Sequence, residues 1–136
     1  MHPYKGIPIK FVPKMWGWES WIVNKDEYCG KLLFFKKGMK CSFHYHQKDE
    51  TFYVQEGRLK VWYSFDDELP IETDCVLYDN HYDPLEKGIV VLEKGDTFYV
   101  KPPMRHRMMG LEDTLVYEFS TTHVDSDIVR IIKSEN

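Results

Sequence analysis

The stretch GMKCSFHYHQKDETFYVQEG, residues Gly38 to Gly57, sets two histidines two positions apart, a glutamate four positions further on, and a glycine at each end. Side chains alternate across a strand, so His44 and His46 point to one face and can share one target. The polar QKD between His46 and Glu50 suits a tight turn, after which Glu50 starts the neighbouring strand and returns its carboxylate to the same face. Gly38 and Gly57 supply the outer turns. A lone strand histidine is more often packed or solvated than a ligand. Two facing one way are harder to dismiss, because burying both without a partner costs on the order of several kcal/mol.

Further along, KGDTFYVKPPMRH (Lys94 to His106) echoes KGMKCSFHYH (Lys37 to His46): each runs from Lys-Gly through a strand towards histidine. His106 is thus a fourth candidate. Three imidazoles and one carboxylate make a borderline site for one divalent transition metal ion (zinc, manganese, iron or nickel), with positions left for water or substrate.

The surroundings are strand-rich. WGWESWIVN, YCGKLLFFKKG, CSFHYH, ETFYVQEG, LKVWYSF, GIVVLEKGDTFYVKPP, HRMMG and TLVYEFST are short, β-branched or aromatic, and punctuated by Gly, Pro, Asp or Asn. No long segment has apolar residues at helical spacing, so the pattern reads as an all-β sandwich or barrel. At 136 residues, residues 1–136 fit a single domain. Prolines at positions 3, 8 and 13 make residues 1–15 an extended arm able to lie along a sheet edge, and residues 66–86 form an acidic insertion with a brief apolar island, CVLY.

A formal net charge of -4 gives no diffuse attraction to a polyanion, so nucleic acid is a poor partner, and no run is apolar enough to span a membrane. Three cysteines without CxxC spacing suit reduced thiols in a soluble, cytoplasmic protein.

The spacing G(X)5HXH(X)3E(X)6G, met by Gly38, His44, His46, Glu50 and Gly57, resembles the first motif of the cupin superfamily. The second motif, G(X)5PXG(X)2H(X)3N, is met in part: Gly95 and His106 are correctly separated, but Lys101 stands at the first proline, Pro103 at the glycine and Gly110 at the asparagine. Proline cannot take the positive φ that glycine permits, so this turn must be built differently. The resemblance covers about residues 28–120. It implies a jelly-roll-like conical β-barrel with a metal inside, held by His44, His46, Glu50 and His106.

KMWGWESWIVN, YCGKLL and DSDIVRI are similar to parts of the cupin domain of type II mannose-6-phosphate isomerases. That family often has Gln where this chain has His44, and the 66–86 insertion lies outside its pattern, so small stand-alone sugar-isomerase-like cupins are the closer comparison. The resemblance implies a small-molecule substrate, a sugar or sugar phosphate, isomerised or epimerised with the metal as Lewis acid. Lys31 and Arg130 carry charge suited to holding a phosphate or sugar oxygen, and Lys31 is the candidate catalytic residue. The sequence identifies no general base. Tyr53, Tyr99 and Tyr117 are more in keeping with core than with a sugar pocket. Two alternatives stay open: an iron-dependent dioxygenase, and a non-enzymatic sugar-binding or assembly module with a structural metal. A homodimer is expected, with the arm laid along a partner's sheet edge.

Overall fold

In CGKLLFF alternate side chains are buried: Cys29, Lys31, Leu33 and Phe35 face inward, while Gly30, Leu32 and Phe34 lie on the outer side. The same two-residue period runs through ETFYVQE and TLVYEFS, whose inner residues are Glu50, Phe52 and Val54, and Thr114, Val116 and Glu118. Segments with one apolar face must bury it against another such face, and the chain does so with two antiparallel sheets. The computed structural model describes residues 5–71 and 87–134.

Eleven strands follow in order: β1 (Lys10–Lys14), β2 (Gly17–Asn24), β3 (Cys29–Phe35), β4 (Phe43–Tyr45), β5 (Glu50–Glu56), β6 (Arg58–Ser64), β7 (Lys87–Glu93), β8 (Thr97–Val100), β9 (Arg105–Gly110), β10 (Thr114–Ser120) and β11 (Val129–Ile132). One sheet has the order β1-β2-β3-β10-β5-β8 and the other β11-β4-β9-β6-β7. The architecture is the all-β barrel the sequence leads one to expect. Among the described residues no helix is long and apolar enough to cross a membrane.

Three motif glycines hold the turns. Gly38, Gly57 and Gly95 have φ of 80°, 92° and 92°, a region costly for residues with a Cβ. At Gly57, between β5 and β6, an added Cβ would also lie 2.5 Å from both Asp113 O and Thr114 Oγ1.

The interior is graded along the strands. At one end Leu33, Phe35, Val54, Leu59, Val61 and Val116 form an apolar core, and Trp16 stacks on Phe35 with ring centroids 4.3 Å apart. Each fully buried side chain of this kind is worth about 1.5–3 kcal/mol. Towards the other end the inward positions turn polar. Lys31 pairs in register with Glu118, and Ser120 with Glu50. An apolar plug thus closes one end of the barrel, and a charged chamber occupies the other.

Three expectations are modified. The extended arm expected over residues 1–15 is, at Lys10–Lys14, a strand paired with β2 of the same chain, Lys10 opposite Trp21 and Lys14 opposite Gly17, at the edge of the sheet. Pro13 is tolerated because β1 is an edge strand. Glu50 does not start a strand paired with β4: β4 and β5 lie in opposite sheets, so the glutamate approaches the histidines from across the barrel. Tyr53, Tyr99 and Tyr117 sit on the outer side, alternating with buried Phe52, Phe98 and Val116. Of the 66–86 insertion, residues 66–71 leave β6 in a turn in which Asp66 Oδ1 accepts from Ser64 Oγ and from Glu68 N. The apolar island CVLY lies outside the described residues, as do residues 1–4.

Candidate metal centre

His44 lies mid-strand on β4, directly opposite His106 on β9. Its Nδ1 is 2.9 Å from both Ser42 O and Ser42 Oγ, which orients the ring and leaves Nε2 available. His46 follows the end of β4, and its ring stacks beside that of His44 with centroids 5.5 Å apart. β9 is fixed through β6, where Tyr63 opposes His106. The turn before it, which departs from the cupin pattern, runs through a cis Pro102–Pro103 bond and closes with Met104 N donating to Lys101 O at 2.8 Å. Proline here replaces the glycine corner without displacing the histidine.

One ligand atom from each of His44, His46 and His106 falls within 4.8 Å of the others. From the facing sheet, Glu50 Oε1 reaches 2.9 Å from His46 Nε2 and 3.9 Å from His106 Nε2. All four sequence-derived ligands therefore converge.

The polar bookkeeping points to a cation. Glu50 Oε1, which faces His46 Nε2 and His106 Nε2, is buried and accepts no well-directed hydrogen bond among the described residues, and an orphaned buried polar atom is costly unless something else satisfies it. Burial, with smaller contributions from its histidine neighbours, holds His44 well below the ordinary imidazole range. Burial and Lys48 bring His46 to about 4, and burial and His46 bring His106 to about 3. Three neutral imidazoles at neutral pH are the ligand form a transition metal requires. Burial, reinforced by Glu118, pushes Glu50 well above the usual carboxylate range. A divalent ion reverses that preference, since a neighbouring positive charge favours the carboxylate. The residues present fit a metal of the zinc, manganese, iron or nickel type.

The four residues open into a cavity of about 380 Å³, whose lining includes Lys31 and Arg130. Lys31 is deeply buried and Arg130 exposed, so Lys31 sits in the wall and Arg130 at the rim. β11 positions Arg130 directly opposite His44.

Sequence reasoning missed a second group beside the metal ligands. Lys48 Nζ lies 3.0 Å from Glu118 Oε2 and 3.7 Å from Glu50 Oε2. Lys31 Nζ lies over the Trp21 ring, 4.0 Å from its centroid, and 3.8 Å from Glu19 Oε1. Both lysine nitrogens are 3.1 Å from His123 Nδ1. The two lysines titrate in opposite directions. Burial lowers Lys31 and outweighs the opposing pull of Glu118 and Glu19, while for Lys48 the carboxylates Glu118, at 3.0 Å, and Glu50 outweigh burial and raise it. For Glu118 burial alone would raise the carboxyl, but Lys48 and Lys31 bring it down to about 2. Glu118 carried one usable signal, a charge at an inward position of an alternating strand. Lys48 read only as turn, and nothing local marked His123.

No protein-family model matches the chain, and no curated protein matches it in sequence. Solved structures do. An RmlC-like cupin from Shewanella frigidimarina aligns at 19% identity with TM-score 0.63, covering 86% of each chain. KdgF from a Halomonas species aligns at 17% identity and TM-score 0.63, over 90% of this chain and 98% of that one. L-ribose isomerase from Cellulomonas parahominis aligns at 17% identity and TM-score 0.63, over 83% and 68%. Against oxalate decarboxylase from Bacillus subtilis the TM-score is 0.70 at 12% identity, and this chain spans 33% of that protein's length. The shared feature is the fold, which is that of the cupins.

Proposed function

We propose that this cupin-fold chain is a metal-dependent isomerase or epimerase of a small sugar or sugar phosphate. The observation that carries the reading is the convergence of His44, His46, His106 and Glu50 on a small cavity whose wall holds Lys31 and whose rim holds Arg130. The likeness to L-ribose isomerase supports a sugar as substrate.

Moving a proton between neighbouring carbons creates an enediolate, and a bound divalent ion supplies Lewis-acid stabilisation of its oxygens. The chain's own residues do the rest. Lys31 reaches the substrate from the wall as the candidate catalytic group, and Arg130 at the mouth offers a planar fork to a phosphate or terminal hydroxyl. The apolar floor below, with Leu33, Phe52 and Met108, keeps bulk water from the reacting carbons.

Incubating the metal-loaded protein with a panel of aldoses, ketoses and their phosphates in D2O tests this. Deuterium entry next to the carbonyl, reduced at least 100-fold in Lys31→Met with metal content unchanged, is expected. Oxygen consumption with iron and no deuterium entry would replace the reading with a dioxygenase. Metal retention without any turnover would leave a binding or assembly module.

A homodimer is part of the same proposal, through the outer face of the six-stranded sheet rather than through the arm. Phe11, Trp18 and Phe34 form a continuous aromatic row there, with centroid separations of 5.6 and 5.5 Å, and Phe119 is 56% exposed beside Tyr117. Light scattering is expected to give twice the chain mass at micromolar concentration, and the single mass in Trp18→Glu. A wild-type monomer would remove the dimer. Buried, free Cys29 and Cys41 support a reducing, cytoplasmic setting.

A further inference from the structure

The proposed reaction needs a group that gives and takes a proton, and a side chain as buried as Lys31 needs a partner that carries that proton to the exposed rim. We propose that Lys31, His123 and Asp125 form this route, with Lys31 as the acid-base group facing the ligand and the His123–Asp125 pair as its connection to water. This rests on the isomerase reading for its role and on geometry for its existence.

The chemistry of the partners fixes the direction of the hydrogen bonds. His123 Nε2 lies 2.7 Å from Asp125 Oδ1, and a carboxylate only accepts, so Nε2 carries the proton. Nδ1, 3.1 Å from both lysine nitrogens, is then the bare acceptor, as it must be opposite ammonium groups that only donate. The ring is held in place by the backbone. Asn24 Oδ1 accepts from His123 N at 2.9 Å, Asn24 Nδ2 donates to His123 O, and the Trp21 ring meets the imidazole edge-on at 4.7 Å. All three residues line the same cavity, and exposure rises along the route: the Lys31 side chain is 3% exposed, that of His123 18% and that of Asp125 84%.

In the outward step the Nζ–H bond of Lys31 breaks as an Nδ1–H bond forms on His123. The Nε2–H bond breaks as the proton passes to Asp125 or to water at the rim. Lys31 is left as a neutral amine, able to take a proton from carbon. An isomerisation returns that proton to the neighbouring carbon, and the reverse transfer through His123 restores the original tautomer.

Charged groups surround the pair. Lys31 is faced by Glu19 and Trp21 from β2, Cys29 on its own strand, Glu118 from β10 and Lys48 from the turn before β5, and Lys10 adds charge near Asp125. Burial lowers Lys31, which favours release of its proton, and burial together with Lys31 and Lys48 also lowers His123, so its ring passes the proton on rather than holding it.

Nitrogen-15 NMR of the full chain tests the route without substrate. At neutral pH His123 is expected as the Nε2–H tautomer. Exchange of the Lys31 ammonium protons with water is expected to slow at least tenfold in His123→Phe, which keeps a ring against Trp21 but removes the acceptor, and to recover in part with added imidazole. A role limited to packing predicts unchanged or faster exchange in that variant, and either result, or an Nδ1–H tautomer, overturns the proposal. Should His123→Phe not fold, Asp125→Asn at the exposed end carries the test, with at least threefold slowing expected and unchanged exchange contradicting it. An absence of sugar turnover leaves these expectations standing, so the route and the isomerase reading can fail separately.

Discussion

Glu118→Gln is expected to destabilise the protein by about 3 kcal/mol, because it leaves the Lys48 ammonium buried without its closest counter-charge. The two side chains are 6% and 7% exposed and 3.0 Å apart. The cost falls at the low end of the range for breaking a buried pair, since Glu50 Oε2 remains 3.7 Å from Lys48. The penalty has a pH signature. Glu118 titrates at about 2 in the folded protein against an ordinary 4.5, so between those values the unfolded chain binds more protons than the folded one. Its contribution is complete above pH 4.5 and is lost as pH falls towards 2. Urea unfolding of wild type and variant should show a gap that is full at pH 7 and shrinks below pH 4.5. A gap under about 1 kcal/mol at pH 7, or one that does not change with pH, would show that the pair is not the buried unit described.

His106→Ala is expected to weaken divalent metal binding by more than 100-fold, which is about 2.7 kcal/mol or more. Loss of an outer supporting group typically costs about 10- to 100-fold, and loss of a ligand should exceed that. Arg130→Ala, at the rim, should stay within about threefold of wild type. Because burial already holds His46 at about 4 and His106 at about 3, these imidazoles need not lose a proton at neutral pH to bind. Their titration should therefore add no pH dependence between pH 8 and 6, where an ordinary histidine site would begin to weaken, and a loss of affinity with falling pH there would come from Glu50, whose carboxyl burial pushes up. Calorimetric titration with zinc and with manganese reads both effects. Equal affinities for wild type and His106→Ala would mean that the ion is held elsewhere.

Much of this site was legible in the sequence because its ligands are carried by local rules. The alternation of a strand placed His44, the motif spacing marked Glu50 although it arrives from the opposite sheet and not from a strand beside β4, and the glycines at 38, 57 and 95 lie where the structure has positive φ. His106 was legible by its distance from Gly95, and the proline corner proved compatible with it. What was not legible depends on register between distant strands. Whether Glu118 meets Lys48 is decided by how β10 aligns with β3 and β5, and no local pattern specifies that alignment. His123 lies outside any strand and is placed by Asn24, 99 positions earlier in the chain. Lys10–Lys14 read as a free arm because three prolines signal extension without saying which edge accepts it; the return at Gly17 supplies the answer. β11 went unread as a strand for a similar reason, its pairing with β4 being its main support.

The central claim is that folding brings three imidazoles and a carboxylate from two opposed sheets around one cation. Anomalous diffraction at the absorption edge of the purified protein's own metal tests it most directly. One peak is expected, about 2.0–2.2 Å from a nitrogen of each of His44, His46 and His106 and from a Glu50 oxygen. A map with no peak among these groups after metal addition, or with the ion bound at another place while the His106 ring points elsewhere, would contradict the account.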